Sequence, residues 1–330
     1  MRSTLTCAPA LLILGMATGV ALAAGDMRAA VILDGGVQLQ QLPKPEPQAG
    51  EVRIKVRDAS VNPTDWKRAD HSGPGAHGMP GRDLSGVIDA IGPAGGPSGG
   101  TPSQWKVGDP VIAIAPGGSY AEYAIAPLTA IAAKPARMSF EEAAGIGVVG
   151  ETAWRAIVTV ANVQAGQRVL IHGGAGGVGS SAVQIAKARG AYVIATASPS
   201  HNSYLRSLGA DEVLDYNTVR FEDQVKGVDV VLNTVDPDLT VRSLGVMKPG
   251  GILVSVVGAP PTAQCEAAKV RCGVTGSATG EMLRFVSDLA SQGKFHIHID
   301  QQLPLADAAK AWEMNRKGHT AGKIILIVGR

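Results

Sequence analysis

Chemistry first becomes legible in this chain in a run of glycines set between an apolar strand and an amphipathic helix. In RVLIHGGAGGVGSSAVQIAKARG, Gly174-x-Gly176-x-x-Gly179 follows the apolar segment Arg168 to His172 and opens a helix expected from Gly177 to Arg189. In that setting Gly174 turns the chain tightly, Gly176 lets backbone amides approach a pyrophosphate, and Gly179 lets helix and strand pack closely. The helix N-terminus adds unpaired amides and the positive end of its dipole. The pattern reads as a dinucleotide site; a merely tight strand-to-helix turn is the plainer alternative.

A site for NAD carries an acidic residue at the end of the second strand, about 20 residues on, to hold the ribose hydroxyls. Here that strand ends in ATASPSHN, Ala195 to Asn202, with no Asp or Glu. Ser198, Ser200, His201 and Asn202 offer hydrogen bonds to a phosphate, and Arg206 follows one turn later, whereas a carboxylate there would repel the added charge. NADP(H) is the expected cofactor. The competing reading is that these residues make a turn and a helix cap.

The elements that must position such a site follow from pattern. Between Ala29 and Ala124, short strands alternate with Gly and Pro turns: Ala29 to Leu33, Glu51 to Val56, Ser85 to Ile91, Pro110 to Ala115 and Tyr120 to Ile125. They read as a partly open barrel, and the run Gly92 to Ser103 as a loop. After Pro135 helix and strand alternate, starting with Ser139 and Glu142 as a capping box. Strands are expected at Arg168 to His172, Tyr192 to Ala197, Glu212 to Leu214, Val228 to Asn233 and Gly251 to Val257, which is the rhythm of a doubly wound parallel sheet. Helices near Glu281 to Gln292 and Leu305 to Lys317 precede a last strand, Lys323 to Val328.

Size and composition agree. The 330 residues suggest about two domains. The chain is 45% hydrophobic and only 4% aromatic, with 42 glycines, a profile of close helix-to-sheet packing in an α/β protein. Its 30 basic and 28 acidic residues are spread out, leaving a formal charge of +2 and no basic block, so nucleic-acid binding is not indicated.

At the N-terminus, Arg2, the apolar run Ala10 to Ala24 and the small-x-small Ala21-Leu22-Ala23 form the three regions of a Sec signal peptide over residues 1–23. The run is too short for a stable membrane anchor. A periplasmic or secreted enzyme is expected; the alternative is a cytoplasmic protein that starts at Met27. Cys265 and Cys272 would be an even pair after signal removal, but two buried free thiols are the favoured reading.

Several ordered motifs then carry a resemblance. MRAAVILDGG, ASVNPTDWKRAD, MPGRDLSGVIDAIG, WKVGDPVIAI, GSYAEYAI, SPSHNSYLRSLGADEVLDYN and AGKIILIV together resemble the zinc-independent medium-chain dehydrogenase/reductases, in the quinone oxidoreductase and enoyl reductase branch. The resemblance implies a GroES-like, partly open β-barrel catalytic domain (27–135, completed by 271–330) around a Rossmann NADP-binding domain (136–270). It places Asn62, Thr64, Asp65, Trp66 and Lys67 beside nicotinamide and substrate. Ala175, Gly176, Gly177 and Val178 would take the pyrophosphate, Ser198, Asn202 and Tyr216 the adenosine phosphate. Val257 and Gly258, ending a strand, would back the nicotinamide, and Thr152, Gly174 and Gly179 complete the cofactor set. Homo-dimers or tetramers are common among such proteins.

The zinc branch needs a Cys and a His-Glu pair where this chain has VNPTD and GRD, so no metal site is expected. Cys265, Cys272, His296 and His298 are the rival set, and the two histidines read as the solvated side of a strand. Two residues depart from the family pattern: Glu151 in place of an apolar residue, as a helix-start carboxylate or an altered polar contact, and Asp236 in place of a glycine.

The implied reaction is hydride transfer from NADPH to a quinone or an α,β-unsaturated carbonyl, with the oxyanion that develops stabilised by the protein. Lys67 is the candidate stabiliser or proton donor, assisted by Asn62; a surface lysine is the equal alternative. Asp65 either transfers a proton or braces the loop. The rival from another class is a dinucleotide-binding sensor or structural protein without turnover, and a zinc-type alcohol dehydrogenase is a third reading.

Overall fold

The computed structural model describes residues 25–33, 36–71, 78–94, 104–275, 281–318 and 320–329. The expected signal segment and most of the Gly92 to Ser103 loop lie outside the described residues.

The first part of the chain is β-structure. β1 (Asp26–Leu33) and β2 (Gly36–Pro43) form an antiparallel hairpin. β3 (Glu51–Val61) begins with Val52, Ile54 and Val56 on the core side and is buried continuously from Asp58 to Val61, where neighbours cover both faces. A short helix, α1 (Pro63–His71), leads to β4 (Asp83–Ile91), then come β5 (Pro110–Ile114), β6 (Tyr123–Pro127) and β7 (Ile131–Ala133). β4 and β6 flank β3, and register shifts at Arg53/Ile54 and Val56/Asp58 mark bulges in its pairing with β4. Bulges bend a strand, which lets the sheet curl towards a barrel.

α2 (Phe140–Ala144) begins on the expected capping box: Ser139 Oγ accepts from Glu142 N, and the Glu142 carboxylate accepts from Ser139 N. α3 (Gly147–Trp154) continues into a π-helical turn, Arg155–Val160. Then follow β8 (Arg168–His172), α4 (Gly177–Ala188), β9 (Tyr192–Ala197), α5 (Asn202–Ser207), β10 (Glu212–Asp215), α6 (Phe221–Gln224), β11 (Val228–Asn233), α7 (Pro237–Leu244), β12 (Met247–Ser255), α8 (Thr262–Ala267) and β13 (Arg271–Val274). All six strands are parallel, in the order β10-β9-β8-β11-β12-β13. The near-continuous apolar runs of β8, β9 and β11 are what a sheet covered on both faces demands. The order reverses between β8 and β11, and a doubly wound sheet opens its ligand crevice at that point.

The chain then returns. α9 (Glu281–Ser291) packs on α3 and β7; β14 (Ile299–Pro304), α10 (Ala308–Lys317) and β15 (Lys323–Ile327) rejoin the first sheet, with β15 antiparallel to β3. One buried cluster runs from Ile171 and Val183 through Ile146, Val149 and Met282 to Ile112 and Ile114, so the two units share a core across the cleft.

Four differences from the sequence reading concern the bounds of elements and the cysteines. β13 belongs to the parallel sheet, so the boundary at 270 falls one strand short. β12 ends at Ser255, which leaves Val257 and Gly258 in the loop after it; Val257 N turns back to Ser255 Oγ at 3.2 Å. β6 starts at Tyr123, while Tyr120 is wholly buried before it. Cys265 and Cys272 are joined, not free: the buried face of α8 sets Cys265 against β13 with a Cα separation of 6.2 Å, inside disulfide range.

Candidate active site

The glycine turn leaves β8 exactly where the sheet order reverses. Gly173, at φ +71°, makes the tight turn, a role the spacing gives to Gly174. Gly174 instead lies against β9 and α5, where a Cβ would stand 2.9 Å from Ala195 Cβ and 3.2 Å from a Leu205 methyl. Gly179 performs the close packing expected of it, since its Cβ would meet Gly173 O at 2.1 Å. Gly176 is the N-cap of α4 and has no side-chain cap hydrogen bond, so the first amides of that helix face the turn without a side-chain partner. This is the fit that a pyrophosphate requires.

Beside the turn lies a cavity of about 670 Å³, lined by Gly173, Ala175 and Gly176 from the turn, Thr196 to Ser198 from β9, and Asp236 and Arg242 from beyond β11. Ser198 Oγ lies 2.8 Å from His201 Nδ1 and 3.1 Å from Ser200 Oγ, so the polar residues at the end of β9 form one cluster. Tyr216, 60% exposed, also lines the cavity. Asn202 and Arg206 do not: Arg206 Nε donates to Asn202 Oδ1 at 2.9 Å, which ties the two to each other.

His172 and Arg242 line the cavity and were missed from sequence. Burial, and then the Arg242 charge, pushes the His172 imidazole down to about 4. It therefore stays neutral, 2.9 Å from Ser243 Oγ and 3.3 Å from Thr196 Oγ1. Arg242 is held by Glu222 at 2.6 Å. Asp236 caps α7, its Oδ1 accepting from Leu239 N.

At the seam between the two units lies a buried polar cluster. Asn62 is fully buried; its Nδ2 donates to Asp83 Oδ2 at 2.9 Å and its Oδ1 accepts from Lys323 Nζ at 2.6 Å. Asp83 Oδ1 accepts from Val148 N in the first turn of α3 at 2.8 Å, which joins barrel and Rossmann unit. Asp65 Oδ2 accepts from Asn62 N and from Tyr120 Oη, both at 2.9 Å. Burial pushes the Asp65 carboxyl up to about 7, against the pull of the Asn62 hydrogen bond. Burial raises Asp83 as well, and Lys323 opposes it.

The other expected residues are placed as follows. Thr64 and Lys67 lie exposed on α1, with Lys67 Nζ 5.5 Å from the Trp66 ring. Trp66 Nε1 donates to Asn315 Oδ1 at 2.9 Å and so fastens α1 to α10. Thr152 Oγ1 donates to Val148 O within α3. Glu151 is buried with its Oε2 3.8 Å from Arg82 Nη2 across the seam, so of its two readings the altered polar contact holds. His296 and His298 are in a non-strand segment, and the described residues contain no group of three His, Cys, Asp or Glu side chains placed to hold a metal.

A barrel closing over a Rossmann crevice, with a phosphate turn at the strand reversal, defines a pyridine-nucleotide oxidoreductase of medium-chain dehydrogenase/reductase architecture. Comparison with known proteins agrees. Residues 48–136 match the alcohol dehydrogenase GroES-like domain family, 145–260 the alanine dehydrogenase/PNT C-terminal domain family, and 208–326 the zinc-binding dehydrogenase family. The chain is 32% identical to the quinone oxidoreductase of Pongo abelii over 95% of its own length and all of the relative's. The quinone oxidoreductase of Coxiella burnetii superposes with a TM-score of 0.80 at 32% identity, over 92% of this chain and 100% of that one. The CurK enoyl reductase does so with 0.78 at 26% identity, over 92% and 100%. The protein belongs to the medium-chain dehydrogenase/reductase family, in its quinone oxidoreductase branch.

Proposed function

We propose that the protein is an NADPH-dependent reductase of quinones or α,β-unsaturated carbonyls that works without a metal ion. The observation that carries this reading is the end of β9, where Ser198 and His201 line the cavity of the glycine turn, Ser200 Oγ lies 3.1 Å from Ser198 Oγ, and no carboxylate ends the strand. When bound, the nicotinamide supplies a hydride. The chain's own residues do the rest. The first amides of α4 hold the pyrophosphate, and the Ser198 cluster with Tyr216 holds the adenosine phosphate. Lys67, exposed on α1, stabilises the oxyanion that develops on the substrate. Asn62, whose amide is already engaged on both sides, holds the start of α1, whose first turn carries Asp65.

The donor set supports the metal-free reading. Asn62 and Asp83 offer no thiolate or imidazole, and the Lys323 ammonium already supplies a positive charge to them.

Replacing Ser198 by Asp tests the cofactor assignment. The added carboxylate is expected to weaken NADPH binding by about tenfold or more, while NADH binding holds or improves. Titration by fluorescence quenching with both nucleotides reads this. Equal losses for both would contradict the assignment.

We also propose export through the Sec pathway. The Cys265–Cys272 pair supports it, since disulfides persist in oxidising compartments. N-terminal sequencing of the native protein decides: a start near Ala24 supports export, and a start at Met27 contradicts it.

A further inference from the structure

Lys323 is a lysine only 4% exposed, at the first position of β15, and no step described above moves a proton or binds a ligand through it. Its ammonium donates to Val61 O at 2.9 Å and to Asn62 Oδ1 at 2.6 Å. Burial lowers the Lys323 ammonium from its ordinary range, and two buried carboxyl groups, Asp83 from β4 and then Asp65 from α1, oppose that shift. Asp83 also reaches across the seam to Val148 N.

The residue before it contacts the phosphate turn. Gly322 is bridged to Gly176, and its N–H donates to Ala175 O at 3.1 Å. That backbone admits little else: Gly322 has φ +88°, and a Cβ there would lie 2.2 Å from His298 O. A Cβ on Gly177 would in turn stand 3.3 Å from Lys323 Cδ. Two consecutive residues of the returning chain therefore grip both halves of the site, the pyrophosphate turn by backbone and Asn62 by the ammonium.

We propose that Gly322 and Lys323 form a bracket that fixes Asn62 and the first turn of α1 against the phosphate turn, with the Lys323 ammonium as the built-in cation of the seam. Lys323 is thus a positioning residue for the reaction under Proposed function, on which this inference rests. Occupation of the phosphate turn is transmitted to Asn62 and the first turn of α1 through these two residues. Without the ammonium, Val61 O and Asn62 Oδ1 lose their donor and Asp83 loses its compensating cation, so the start of α1 is released while the turn keeps its own amides.

Hydrogen–deuterium exchange of the full chain, with and without NADPH, tests this on the wild type, Lys323→Met and Lys323→Arg. In the absence of cofactor, Lys323→Met should exchange about tenfold faster at 60–66 and 147–151, while the hairpin β1–β2 keeps its wild-type rate. On addition of NADPH, protection should extend from 173–179 to 60–66 in the wild type and in Lys323→Arg. In Lys323→Met it should stop at 173–179. Gly322→Ala, which breaks the other foot of the bracket, should produce the same loss of extension. Protection of 60–66 that survives in Lys323→Met, or a uniform rise that includes the β1–β2 hairpin, would overturn the proposal.

Turnover gives a second readout that a merely structural lysine would not move. With a quinone as acceptor, Lys323→Met should lower kcat about tenfold and change the NADPH dissociation constant less than about threefold. A wild type that reduces no quinone or enal contradicts the reductase reading alone, because the exchange pattern still decides the bracket.

Discussion

Gly179→Ala should bind cofactor about one to two orders of magnitude more weakly than the wild type and unfold at lower temperature. The added Cβ would lie 2.1 Å from Gly173 O and 2.9 Å from Gly174 Cα. These are backbone atoms, so relief requires the turn and α4 to move apart. Overpacking of this kind costs about 1–3 kcal/mol, and each 1.4 kcal/mol is a factor of about ten. Gly176→Ala is the informative partner, because its Cβ meets only Gly173 O, at 3.5 Å. It should fold as well as the wild type and still bind cofactor more weakly, since the methyl takes the space a pyrophosphate needs. Thermal unfolding and NADPH titration of both variants separate the two roles. Wild-type affinity in Gly176→Ala would mean that the turn is used for packing and not for phosphate.

Asp65→Asn should be more stable than the wild type at neutral pH. The Asp65 carboxyl is raised from 3.8 to about 7, mainly by burial, so the native chain keeps a proton there that the unfolded chain has lost. Its contribution to stability therefore falls as pH rises from 3.8 to about 7 and is level above that. Asparagine removes this titration and still accepts from Asn62 N and Tyr120 Oη. The gap in Tm should open across that window and reach roughly 5 °C or more on its alkaline side. His172 acts in the opposite sense: its imidazole is lowered from 6.5 to about 4, so its contribution is lost as pH falls from 6.5 to about 4. Other shifted groups, Asp83 and Asp211 among them, add to the wild-type profile, and the difference between variant and wild type isolates Asp65. A gap that stays constant with pH would contradict a raised carboxyl. The same variant decides between the two roles of Asp65: an inflection near pH 7 in kcat that disappears in Asp65→Asn marks proton transfer, and an unchanged profile marks a brace.

Much of this architecture can be read from local pattern. β8, β9 and β11 have the expected bounds because their apolar runs are bounded by Gly, Asp or Pro punctuation, and the Ser139 capping box forms as written. β2 and β14 escape notice because the glutamines of GVQLQQLP and IDQQLP break up any apolar run, as in strands that bury little of their surface. The glycine spacing finds the phosphate turn but misassigns the turning residue, since Gly173 lies just before the spaced glycines and only its backbone angle marks it as the turn. The seam cluster lies beyond sequence reasoning for a different reason. Asn62 and Asp83 are visible in their motifs, but Lys323 is 261 positions from Asn62 and meets it only because β15 returns to pair with β3. Arg242 and His172 likewise reach the cavity from α7 and β8, and no local spacing marks them.

The central claim is tested most directly by steady-state oxidation of NADPH by the purified protein after exhaustive chelation, with a panel of quinones and enals as acceptors. The account predicts acceptor-dependent NADPH consumption that chelation does not reduce and that exceeds the rate with NADH. Tight NADPH binding with no turnover of any acceptor would contradict it in favour of a nucleotide-binding protein, and activity that disappears on chelation and returns with stoichiometric zinc would contradict the metal-free mechanism.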